Sequence, residues 1–183
     1  MVISLSNNVT LLDNFTSTAS VFPYYGTFNT GNFTFTCTSF NDFGTASAKT
    51  LTFGSSVVSV TSYSITGVAT TLTPNTSTIN CSGNFAGGGL LTYNVINLTG
   101  ATSTITGNNT ISTLGLTRAG VQTITATGTT QSFKSLVRNA GNQVKTLVNG
   151  TYTKIQGGGV NLDFMSISGS TASPALYAGP LTH

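Results

Sequence analysis

Asp13, Asp42 and Asp163 are the whole acidic complement of this 183-residue chain, which has no Glu and whose one imidazole is the terminal His183. Glycoside hydrolysis needs two carboxylates flanking one bond, and lyase chemistry needs a base together with a cation that neutralises a uronate. A Ser or Thr nucleophile needs an adjacent base, and the only histidine sits at the chain end, where order is poorest. Cys37 and Cys81, with no histidine near them, make no metal-ligand set. Gly87-Gly88-Gly89 and Gly157-Gly158-Gly159 are followed by strand-like runs, LLTYNVINL and VNLDFMSIS, whereas a phosphate-cradling loop opens a helix with Lys and Ser/Thr at its start. The residues therefore predict no catalytic, cofactor-binding or metal-binding site, and a chain that is not an enzyme.

The elements available to position any side chain are short strands. Ile79-Asn80-Cys81, Leu91 to Leu98, Ile105-Thr106, Ile111 to Leu116 and Val121 to Thr127 alternate apolar residues with Thr, Ser or Asn and close on Gly or Asn. In GTFNTGNFTFTCTSF the alternation puts Phe33, Phe35 and Cys37 on one face and Asn32, Thr34 and Thr36 on the other. KTLTFGSSVVSVTSYSITG repeats the device with Leu51, Phe53, Val58, Val60 and Ile65. Starts near Gly31, Val57, Ile79, Ile105, Gln131 and Ile155 recur every ~22–26 residues, the spacing of stacked coils that bury one another's apolar side. The predicted fold is all-β, a single-stranded parallel β-helix (β-solenoid) of about six to seven coils. Residues 1–30, the least regular, read as an N-terminal cap or attachment segment, and 31–183 as the solenoid. Gln131 to Val148 reads as strand with a looped excursion, because Gly141 interrupts its weak helical period.

That register has consequences for chemistry. The three aspartates fall in different coils, more than two apart, too distant for one active site at about 4.8 Å per coil. Cys37 and Cys81 lie two coils apart, so a disulfide would have to span about 10 Å where about 6 Å is normal. Two buried free thiols are expected.

Charged residues make up 5% of the chain, far below the usual share of about 25%, so Thr, Ser and Asn must carry its solubility. No apolar run approaches the ~20 residues that span a bilayer, and membrane insertion is not expected. Lys49 stands alone in the first half, whereas Arg118, Lys134, Arg138, Lys145 and Lys154 follow the midpoint, opposed there only by Asp163. Six dispersed cations are too sparse for a nucleic-acid interface and read as a solvated edge. Asp163, in the apolar run NLDFMS, is expected to form a structural ion pair with Lys145 or Lys154. Tyr24, Tyr25, Tyr93 and Tyr152 are the candidates for glycan or partner contact, their rings offering stacking platforms. The opening MVISLSNNVTLL lacks the basic segment and apolar core of a signal peptide, which predicts release by lysis or another route.

The succession GTFNTGNFTFTCTSF, KTLTFGSSVVSVTS, TITGNNTISTLGLT and KSLVRNAGNQVKTLVNGTY resembles repeat proteins common among bacteriophage structural genes, especially from aquatic environments. STINCSGNFAGGGLLTYNVI and DFMSISGSTASPALYAG carry the resemblance most specifically. It implies a right-handed parallel β-helix in a fibre, spike or capsid-decorating protein at the virion surface. The implied partners are other virion proteins, further copies of the chain with a trimer favoured, and host glycans. The chain departs from that pattern by stopping at Tyr177 to His183, where similar sequences continue into a Gly/Asn/Trp-containing segment. Two alternatives stand beside this reading: a bacterial or archaeal surface adhesin or filament subunit polymerising through open solenoid ends, and a carbohydrate-active enzyme, which the acid count disfavours.

Overall fold

The structure is a computed structural model, and the residues it describes are 1–43, 46–65, 69–89, 91–138, 143–155 and 165–173. The described residues contain no helix, and every strand pairing is parallel. Strands wind into a β-solenoid with three sides, built from one sixteen-stranded and one four-stranded sheet.

Inward residues of successive coils stack in columns. On side one, Phe15, Phe35, Val58, Ile79, Ile96, Leu114 and Leu136 lie in register, seven rungs in all. On side two, Ile3, Val21, Phe40, Tyr63, Phe85 and Ile105 do the same. Side three, the four-stranded sheet, stacks Val9, Phe28, Leu51 and Leu72. Interior rungs such as Phe40, Leu51, Ile96 and Leu114 are fully buried, and each aliphatic or Phe rung contributes about 1.5–3 kcal/mol by leaving water. The early rungs are aromatic: Phe28, Phe35 and Phe40 pack ring to ring at 5.2–5.7 Å, and Tyr63 stacks on Phe85 at 5.0 Å. After Tyr93 the core becomes mostly Ile and Leu.

Corners are held by asparagine. Asn8, Asn14, Asn32 and Asn108 each accept, through Oδ1, the backbone N–H of a residue one coil on: Thr27, Thr34, Ser55 and Thr130, at 2.8–3.0 Å. The side chain thereby continues the ladder where strand pairing stops and satisfies these four corner N–H groups. Above Asn32, Gly54 adopts a φ of 57°, and a Cβ there would lie 2.0 Å from Asn32 Oδ1, so only glycine fits.

Within residues 1–30, Val2–Leu5 pairs with Ser20–Pro23, Val9–Thr10 with Gly26–Asn29, and Phe15–Thr16 with Phe35–Asn41, so parallel pairing among the described residues reaches Val2. Two-residue strands are too short to show alternation in sequence. Coil starts at Ile105 and Gln131 are displaced. The side-one column advances from Ile79 to Ile96, Leu114 and Leu136, which is 17, 18 and 22 residues per coil. The shortening accompanies long strands, Thr92–Leu98 and Asn109–Leu116, each of which serves two sides without a separate strand between them. Gly157-Gly158-Gly159 lies outside the described residues. The expected strand character of Gln131 to Val148 holds in Thr130–Arg138 and Lys145–Val148.

Cys37, Val60 and Cys81 share one column, which puts the cysteines two coils apart with a valine between them. Both are free and buried. The Cys37 thiol donates to Ser39 O at 3.4 Å and the Cys81 thiol to Asn84 O at 3.2 Å. Burial pushes Cys37 up to about 12 and raises Cys81 as well, so both are unreactive.

Candidate functional site

The four tyrosines singled out by sequence part into two kinds. Tyr93 and Tyr152 are 1% and 0% exposed, which removes both from any contact surface. Each lies in register with a buried residue of the neighbouring coil, Tyr93 with Ile111 and Tyr152 with Gln131, so the stacking that buries those side chains buries these rings too. Tyr93 Oη donates to Gly87 O at 2.7 Å, and burial drives both phenols well above their ordinary range.

Tyr24 and Tyr25 are 48% and 45% exposed, with their rings edge to face at 5.9 Å. They follow Ser20–Pro23, where Pro23 supplies no donor to extend the ladder and Gly26 reverses the chain at a φ of 87°. The chain leaves the pleat here, and successive residues are freed from the in-out alternation. Tyr24 N–H donates to Leu5 O at 2.8 Å, which anchors the turn on the first coil.

A second ring pair belongs to the same corner. Phe22, pointing outward in register with Ser4, meets Phe43 from the next coil at 4.3 Å between centroids. Phe43 is 66% exposed and adopts a φ of 50°, a left-handed conformation that is costly for a bulky side chain. Its N–H bonds to Asn41 Oδ1 at 2.6 Å. A large apolar side chain held outward in a strained turn is an outlier that core packing does not explain, since Phe43 lies outside the buried core cluster. Sequence reading missed Phe22 and Phe43 as a pair. The available signal was Asn41-Asp42-Phe43-Gly44, an aromatic set among turn residues.

Side one carries a different surface, a shallow groove of about 310 Å³. Thr36, Ser59 and Asn80, consecutive members of one outward column, line it together with Thr61, Ser82 and Thr99. Asn97 extends the column, its Nδ2 donating to Asn80 Oδ1 at 3.0 Å. The groove offers uncharged donors and acceptors at the inter-coil spacing and no side chain that would transfer a proton at neutral pH.

The charged groups lie elsewhere. Asp13 is exposed and accepts the N–H of Asn14, whereas Asp42 is buried with Lys49, whose Nζ is 3.6 Å from Asp42 Oδ2. Asp163, expected to pair with Lys145 or Lys154, lies outside the described residues, and that pairing with it. Lys145 is not part of a solvated edge: it is 1% exposed, and its Nζ donates to Gly120 O at 2.7 Å and to Arg118 O. Burial, reinforced by Arg138 and Arg118, lowers its pKa. Among the described residues no three His, Cys, Asp or Glu side chains are grouped to hold a metal, and no helix is long and apolar enough to cross a membrane.

Comparison with protein-family models, with curated proteins and with solved structures returns no match.

Proposed function

We propose that this chain is a non-enzymatic structural component of a phage particle, a fibre, spike or capsid-decorating element that contacts host-surface glycans through its N-terminal aromatic corner. The observation that carries the reading is one corner with three exposed rings, Tyr24, Tyr25 and Phe43, the last packed on the half-buried Phe22. Aromatic faces held outward stack against the C–H faces of sugars, and neighbouring hydroxyl and amide groups supply hydrogen bonds. The stacked coils behind the corner act as a stiff spacer, since each coil is pinned to the next by backbone and asparagine hydrogen bonds.

The test is binding of the wild type and of a Tyr24→Ser/Tyr25→Ser variant to an array of neutral bacterial surface oligosaccharides. A retained set of glycans that is lost in the variant is the expected result. No binding by the wild type, or equal binding by both, overturns the glycan part of the reading. Light scattering after size exclusion addresses assembly, with a discrete trimer expected and a stable monomer against it.

A second reading is an adhesin or filament subunit that grows end to end: among the described residues Val2–Leu5 pairs with Ser20–Pro23 alone, and Met1 and Val2 beside it are exposed. Concentration-dependent growth into rods would select this reading over a closed trimer.

A further inference from the structure

Lys49 and Asp42 meet inside the solenoid, and neither the structural role nor the glycan-binding reading uses them. Their side chains are 1% and 0% exposed, with Nζ 3.6 Å from Oδ2. Both backbones are fixed to the next coil, Asp42 N–H to Ser64 O at 2.9 Å and Lys49 N–H to Ala69 O at 3.1 Å. Aromatic rungs surround the corner: Phe40 lies two residues before Asp42, Phe53 four after Lys49, and the two rings pack at 6.1 Å. The charge on Asp42 also reaches the buried hydroxyls of Tyr63 and Tyr93 and helps to hold both protonated. An amine and a carboxyl are thus held together, out of water and among rings.

We infer that Lys49 and Asp42 condense spontaneously into an intramolecular isopeptide bond, making this corner a site of self-catalysed covalent modification. The reaction begins with transfer of one proton from the Lys49 ammonium to the Asp42 carboxylate, which leaves a neutral amine beside a neutral carboxyl. The freed Nζ lone pair attacks Cγ, forming the N–C bond as the carbonyl π pair moves onto oxygen. The tetrahedral centre then collapses: the C–OH bond breaks, the hydroxyl takes a second proton from nitrogen, and water leaves. One ammonium and one carboxylate become one amide and one water, with no oxidant or co-reactant. Fixing both partners removes the entropy of bringing them together, and loss of two buried charges favours the product.

The sequence supplies a clean readout. Lys49 is the only Lys or Arg before Arg118, so trypsin acting on the unfolded chain releases residues 1–49 and 50–118 if Lys49 is free. An amide at Lys49 blocks that cut and yields 1–118 as one fragment. The experiment is the intact mass of the full-length protein under denaturing conditions, followed by tryptic mapping. The expected result is a mass one water below the sequence value, a single 1–118 fragment carrying the deficit, and restoration of the full mass in Lys49→Arg, which keeps the charge but not the primary amine. A wild-type chain at its sequence mass with cleavage after Lys49 overturns the proposal. So does a water deficit that persists in Lys49→Arg or maps outside residues 42–49. The wild-type measurement decides the matter even if the variant fails to fold.

Discussion

Lys49–Thr52 and Lys145–Val148 open with the same three residues, Lys-Thr-Leu, and bury them in the same alternating order, yet the two lysines are satisfied in different ways. Lys49 sits among the aromatic rungs and faces the carboxylate of Asp42. Lys145 sits among aliphatic rungs, next to the charges of Arg118 and Arg138, and donates to two backbone carbonyls. The pleat decides that the first residue of each strand points inward, and the nearest corner decides what meets it. In a solenoid, phase along the strand outranks polarity, and a lysine in phase with Leu51 or Leu147 is carried into the core.

Breaking the first of these arrangements should have the larger effect. Lys49→Met leaves the Asp42 carboxylate buried without its lysine, and relative to the uncondensed pair that loss costs about 3–5 kcal/mol. Urea unfolding of the two chains measures it. Adding Asp42→Leu should recover most of the loss, because an apolar pair of similar volume removes the stranded charge. A double variant no more stable than Lys49→Met would show that packing, not charge, sets the cost.

Lys145→Met should cost less, about 1–2 kcal/mol, since it strands only the carbonyls of Arg118 and Gly120, both in half-buried residues, and removes a buried charge in exchange. It also carries a pH signature. The folded pKa of Lys145 is lowered, so between that lowered value and about 10.4 the unfolded chain binds more protons than the folded one. The contribution of Lys145 to stability therefore rises with pH through this window, and below it the burial penalty is present in full. Unfolding followed from neutral pH to about 10 should show a rise in the wild type that Lys145→Met lacks.

Much of this was legible in the sequence, and the failures share a cause. Alternation in TFTCTSF and KTLTF, and recurrence of the runs, sufficed for a parallel solenoid of about seven coils and for two free cysteines set two coils apart. The same alternation placed Lys49 in phase with Leu51 and Phe53. Giving polarity priority over phase put Lys49 and Lys145 with the other cations on a solvated edge and kept Tyr93 and Tyr152 among the candidates for contact. Coil register was lost where Thr92–Leu98 and Asn109–Leu116 each serve two sides, because the count assumed a constant perimeter. The contact of Phe22 with Phe43 joins adjacent coils, so no local pattern could carry it.

The smallest effects come from a second matched pair. Tyr93 and Tyr152 are both buried, but Tyr93 Oη donates to Gly87 O at 2.7 Å, whereas Tyr152 Oη has no hydrogen-bond partner among the described residues. Replacement by Phe keeps each ring and removes only the hydroxyl. Tyr93→Phe should therefore lose about 1 kcal/mol, the net value of a hydrogen bond whose acceptor is left behind. Tyr152→Phe should be neutral or slightly stabilising, because it deletes a polar group that was desolvated without recompense. Both phenols have raised folded pKa values, so their contribution is complete below the unfolded value of about 10 and is lost as pH rises above it. Each Phe variant should accordingly show a shallower alkaline decline than the wild type, even where neutral-pH stability moves in opposite directions. Equal losses at neutral pH would mean that Tyr152 Oη is satisfied in solution, and the contrast between the two halves of the rod would then rest on the lysines alone.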